Sequence, residues 1–159
     1  MVKRVGVTGH RGLDEMTTAW ITDAIRRELE STAGDLVGMT CLADGADQIF
    51  ASVVLAVGAS LEVVVPAREY RQGLPQDSHG SYDRFLAAAK AVHHLDHQQS
   101  DPVAHMEAST FLVDHIDVMI AVWDGLPSRG WGGTADVIDL ARQRGKPVTV
   151  LWPPGATRA

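Results

Sequence analysis

The chain has 159 residues, enough for one domain with a full core, and carries 14 Lys and Arg against 20 Asp and Glu for a formal net charge of −6. That balance argues against a surface that wraps nucleic acid, because nonspecific grip on a phosphate backbone comes from clustered cations, so nucleic acid is not an expected partner. The longest apolar stretch, Ile49 to Ala59, is too short to span a bilayer, and Cys41 stands alone, so no membrane contact, no internal disulfide and a reducing cytoplasm are expected.

Val5–Thr8 is a short apolar run that predicts a strand starting almost at the first residue, with no room for a signal peptide. Asp14 is placed to cap a helix in which Trp20, Ile21, Ala24, Ile25 and Leu29 recur at helical spacing, ending near Gly34. Leu36–Leu42 reads as a second strand and Ala43–Asp47 as the turn after it. A helix from about Ala46 to Val57 is apolar nearly all round, which predicts burial on two sides and a homodimer formed through this helix or its neighbour. Leu61–Val65 is a dense β-branched strand closed by Pro66. A polar, irregular stretch then leads to a helix at about Tyr82–Ala91 and a short edge strand at Ala91–Leu95. Asp101 and Pro102 open a further helix, followed by a strand at Asp117–Trp123, a helix at Thr134–Arg144 and a last strand at Pro147–Trp152. Residues 1–152 are expected to form a single domain, and 153–159 a flexible tail.

Strands alternating with helices at this spacing predict an α/β fold, a doubly wound parallel sheet of about six strands with helices on both faces. The expected order places the fourth, third, second and first strands side by side, then the fifth and sixth. The switch point then falls between the first strand and Asp117–Trp123, where ligands of such sheets bind beyond the carboxyl ends of the strands.

Two glycine-rich turns land there. Thr8-Gly-His-Arg-Gly12 lacks the G-x-G-x-x-G spacing, and no acidic residue ends the second strand, so a dinucleotide cofactor is not expected; nor is any other. Gly9 permits close approach, Thr8 offers a hydroxyl, and His10 and Arg11 are placed to reach an anion. Gly130–Thr134 is the sharper signal: Gly132, Gly133 and Thr134 at a helix start can present consecutive N–H donors and a hydroxyl to phosphate. Trp131 on that loop reads as a stacking surface or as a core indole. Asp44, Gly45 and Asp47 combine a turn glycine with two carboxylates that either cap the second helix or hold ligand hydroxyls. Arg68 and Arg129 are the further cations assigned to the ligand. His93, His94, Asp96, His97 and His105 lack the spacing of a metal set on a confident helix, so no metal is expected.

Taken together, Val7–Arg11, Leu42–Asp47 and Gly132–Thr134 before a helix ending in Gly145-Lys-Pro147 resemble the SLOG superfamily over nearly the whole chain. That group takes in the Lonely Guy phosphoribohydrolases, the Rossmann-like core of DNA-processing protein A and many stand-alone domains. The resemblance implies a Rossmann-like domain for nucleotides or nucleotide-derived ligands, often dimeric. The phosphoribohydrolases place a catalytic Glu three residues after the Thr of their glycine-rich turn, where this chain has Val137. Asp136 sits one residue early, a rotation of about 100° on a helix, and Glu107 is the other candidate carboxylate. The leading expectation is a cytoplasmic sensor or carrier of a small nucleotide-derived ligand. The alternative is a nucleoside-monophosphate phosphoribohydrolase with Asp136 or Glu107 as acid or base. DNA handling is disfavoured by the acidic balance.

Overall fold

The computed structural model describes residues 2–32 and 34–158; Met1, Ala33 and Ala159 lie outside the described residues. The elements run β1 (Val2–Gly9), α1 (Glu15–Glu30), β2 (Asp35–Thr40), α2 (Ala46–Ala56), β3 (Ser60–Val65), α3 (His79–Ala88), β4 (Ala91–His94), α4 (Pro102–Asp114), β5 (Val118–Val122), α5 (Thr134–Gln143) and β6 (Val148–Leu151). The sheet is six-stranded and parallel in the order β4-β3-β2-β1-β5-β6, the order expected from the alternation of elements.

Two cores sandwich it. On one face, Ile21, Ile25 and Leu29 of α1 and Phe50, Val53 and Val54 of α2 pack on Val5, Val7, Val63 and Ile120. On the other, Ala108, Leu112 and Val113 of α4 and Val137 and Ala141 of α5 pack on Met39, Val64 and Met119. The alternation of Val63 and Val64 between the two cores is the period-two signature of a strand covered on both sides.

Side-chain caps set two of the helix starts. Asp14 accepts the amide of Thr17 at 2.7 Å, and Asp101 accepts that of Ala104 at 2.9 Å with Pro102 in the first turn. Helix α3 begins at His79, three residues before the apolar pattern does, because the one-turn helix Gln76–Ser78 runs straight into it. Strand β1 begins at Val2 rather than Val5: parallel pairing of Val2 with Asp35 carries the strand through Lys3 and Arg4. The Arg4 guanidinium is used there, bound to both carboxylate oxygens of the buried Glu62 at 3.0 and 3.1 Å. That pairing holds the Glu62 carboxyl below its ordinary value against the opposing effect of burial, with His93 at 3.0 Å adding to it.

Helix α2 does not need a second copy to cover it. Its apolar circumference is taken up within the chain, by α1, α3 and the sheet, which removes the argument for a homodimer through this helix. No helix among the described residues is long and apolar enough to cross a membrane.

Candidate functional site

Adjacent strands β1 and β5 send their chains to opposite faces of the sheet, β1 into α1 and β5 into α5. Where the chains part, a cleft of about 560 Å³ opens beyond the strand ends. The structure brings into its lining Thr8, Gly9, His10 and Arg11 from the first turn, Asp47 from α2, and Arg129, Trp131, Gly132, Gly133 and Thr134 from the second turn. Cys41, Tyr70, His105 and Val137, which the sequence did not single out as site residues, also line it.

The first turn leans on the loop between β2 and α2. The Ala46 amide donates to the His10 carbonyl at 3.2 Å, and Arg11 Nε donates to Asp44 Oδ1 at 2.7 Å. Asp44 therefore aims the half-exposed Arg11 from below and does not line the cleft. Gly45, with φ +83°, lets the two backbones meet. Asp47 is buried; burial pushes its carboxyl up to about 7, against the weaker opposing effects of the Ala43 amide at 3.2 Å and of Arg11.

The second turn is closed by its own acid. Asp136 Oδ2 accepts the Gly132 amide at 2.8 Å, and Ser128 Oγ accepts the Asp136 amide at 3.3 Å. A Cβ on Gly133 would stand 2.8 Å from Ser128 Oγ, so the bare α-carbon serves loop closure rather than the approach of an anion. Trp131 is 61% exposed and is not part of either core. Glu107 lies away from the cleft, paired with His97, and this pairing raises the His97 pKa. Asp136 and Glu107 are thus both engaged outside the lining. Arg68 pairs with Asp96 at 3.0 Å, also outside it.

His10 is buried at the switch point itself. Its Nε2 lies 3.1 Å from both the amide nitrogen and Oδ1 of Asp124; its Nδ1 lies 3.4 Å from the Thr134 hydroxyl and 3.3 Å from Arg158 Nη1. Trp152 meets the ring edge-on at 5.4 Å. Burial lowers the His10 pKa, outweighing the opposing pull of Asp124. Arg158 is not legible in the sequence as a site residue. It arrives from a segment that turns back over the strand ends, where Trp152 Nε1 donates to the Ala156 carbonyl at 3.0 Å.

No family model matches the chain, and no curated protein is similar to it in sequence. Solved structures are. DNA processing protein A from Streptococcus pneumoniae superposes with a TM-score of 0.71 at 17% identity over 98% of this chain and 51% of that one, so the chain spans about half the length of that relative. DNA processing protein A from Helicobacter pylori, described for its single-stranded DNA binding mode, gives 0.70 at 16% identity over 98% of this chain and 68% of that one. A structural-genomics target gives 0.59 at 18% identity over 92% and 72%.

These likenesses correct the expectation of a free-nucleotide sensor or carrier and its alternative, the phosphoribohydrolase. They run to a DNA-processing protein, and the two carboxylates that the hydrolase reading needs are spent on the Gly132 amide and His97. The exclusion of nucleic acid fails for a physical reason as well. A net charge of −6 averages over the whole surface, whereas Arg11, Arg129 and Arg158 gather on one cleft. At the level of fold, the chain is a Rossmann-like domain of the kind found in DNA processing protein A, as its resemblance to the SLOG superfamily implied.

Proposed function

We propose that this domain binds single-stranded DNA across the carboxyl ends of its sheet, with backbone phosphate in the cleft and bases stacked on its rim. The observation that carries the reading is the pairing of a cationic slot with exposed apolar side chains around it. Arg11, Arg129 and Arg158 line the slot beside Trp131. Met16 at the start of α1, Val103 at the start of α4 and Leu126 in the β5–α5 loop are more than half exposed, and all three elements open at this end of the sheet. An unpaired strand offers base faces to such platforms, which a duplex keeps stacked inside itself. The likeness to a protein described for single-stranded DNA binding supports the same reading. A cytoplasmic location belongs to the proposal, consistent with the lone Cys41, whose thiol burial pushes far above its ordinary value.

The test is fluorescence anisotropy with a labelled single-stranded oligothymidylate, its duplex with oligoadenylate, and a salt series. Preference for the single strand and affinity falling steeply with salt are expected. Trp131→Ala is expected to weaken binding by about 5- to 150-fold, the range for loss of one stacked base. Failure of the parent protein to bind the single strand at low salt, or a Trp131→Ala variant that binds as well as the parent, would refute the reading.

A further inference from the structure

The guanidinium of Arg158 is badly seated for a buried cation. Its Nε is 3.3 Å from Asp124 Oδ2, yet both atoms are buried and neither has a hydrogen-bond partner. The other nitrogens sit at the long end of hydrogen-bond distance, Nη1 3.3 Å from His10 Nδ1 and Nη2 3.4 Å from the Pro127 carbonyl. His10 cannot receive everything offered to it. The Asp124 amide faces Nε2 and Arg158 faces Nδ1, while a neutral imidazole has one acceptor nitrogen, so one of the two donors meets an N–H. Protonating the ring removes the remaining acceptor. The tautomer with Nε2–H donating to Asp124 Oδ1 leaves Nδ1 to accept Arg158, whereas the tautomer that accepts the Asp124 amide turns Nδ1–H toward Arg158, so the ring holds the guanidinium in only one of its two neutral forms.

Charge-assisted bonds to carboxylate or phosphate are normally short, at about 2.7–2.9 Å, and an arginine fork matches two oxygens at once. Arg158 has that fork, lines the cleft, and stands with Thr134 at the first turn of α5, whose N-terminus favours anions. The unpartnered Asp124 Oδ2, on a side chain only 4% exposed, marks the place as incomplete when filled as it is now.

We infer that Arg158 is a phosphate-capturing arm, parked on Asp124 and His10, that moves onto a phosphodiester of single-stranded DNA at the start of α5. The inference rests on the proposed DNA reading and deepens it. It takes the segment after Trp152 as a flexible tail, joined to the domain through that indole and able to carry a cation between two nearby anions. Asp124 is the holder of the arm, not part of the DNA contact. A purely structural Arg158 would instead serve only to neutralise Asp124.

Those two roles give opposite results for Asp124. With the labelled oligothymidylate, Arg158→Gln and Arg158→Ala are each expected to bind about tenfold more weakly than the parent. The slope of log affinity against log salt is expected to shrink by about 0.7, the loss of one phosphate contact on a single strand. Asp124→Asn releases the arm and is expected to bind about twofold to fivefold more tightly than the parent, with the slope retained. Thermal melting of each variant reports its fold, and Arg158→Gln keeps a polar, uncharged side chain with an amide donor should the alanine variant not fold. Arm variants that bind as the parent does, with the parent's salt slope, overturn the inference and leave the DNA reading standing. Asp124→Asn binding as weakly as Arg158→Gln also overturns it, since that is the pattern of a structural pair. A parent protein that does not bind the oligothymidylate removes the reading and the arm together.

Discussion

At pH 8, Asp47→Asn is expected to melt about 5–10 °C above the parent protein, and at pH 4 to melt with it. Asp47 is the second residue of α2 and is buried where the helix meets the cleft. Its carboxylate takes the Ala43 amide at 3.2 Å, while Arg11, the cation that acts on it, is bound to Asp44 instead. Burial therefore wins and pushes the carboxyl up to about 7 from an ordinary 3.8. Between those values the folded protein holds a proton that the unfolded chain has released. Stability accordingly falls as pH rises from about 4 to about 7 and is level above that. A displacement from 3.8 to about 7 corresponds to about 4 kcal/mol at full extent, or about 8–16 °C in a domain of this size, and partial hydration of the group reduces it. Asparagine keeps an oxygen for the Ala43 amide and cannot ionise. Melting curves across pH 4 to 8 check the prediction; a difference between variant and parent that does not change with pH would show that Asp47 ionises at its ordinary value.

The sheet order can be read from the chain because each strand is a run of β-branched or apolar residues and each crossover is a helix with its own start and stop signals. What cannot be read is wherever distant partners decide. Arg4 is part of β1 because Glu62 receives its guanidinium, and nothing in the sequence around Val2 announces that pairing. Residues of both glycine turns line the cleft, since few other sequences can turn so tightly between a strand and a helix. The duties within those turns are less legible. Asp136, a candidate for chemistry by its place in the sequence, instead ties the Gly132 amide, a local bond that spacing alone allows but does not require. Glu107 has no evident partner in sequence and is held by His97 from the loop before α4. Arg158 belongs to a stretch with no periodicity, so only the folded chain brings it to His10 and Asp124. Net charge misleads for a similar reason: it counts residues without their places, and phosphate responds to the local field.

Gly45→Ala is expected to cost about 3–5 kcal/mol of stability and to abolish DNA binding, although it adds a single methyl group. Two effects combine at this position. Its φ of +83° and ψ of −128° lie in a region that L-residues with a Cβ avoid. A Cβ there would also stand 2.6 Å from the His10 carbonyl oxygen and 2.9 Å from the Arg11 α-carbon, both backbone atoms that cannot rotate aside. The accommodation open to the chain is to part the first turn from the β2–α2 loop, breaking the Ala46 amide bond to His10 and moving Arg11 off the cleft. Gly58→Ala separates the two causes. Gly58 has φ +80° but nothing within 4 Å of where an added methyl would stand, so conformational strain acts there alone and about 1–2 kcal/mol is expected. Urea denaturation of both variants and the parent makes the comparison, with the shift in midpoint read against an unchanged m-value. Should Gly45→Ala lose no more than Gly58→Ala, backbone strain would account for both, and the packing of the two turns against each other would not be what shapes the cleft. A larger loss at Gly45, matched by loss of oligothymidylate binding, ties the stability of that contact to the position of Arg11 and thereby to the phosphate slot.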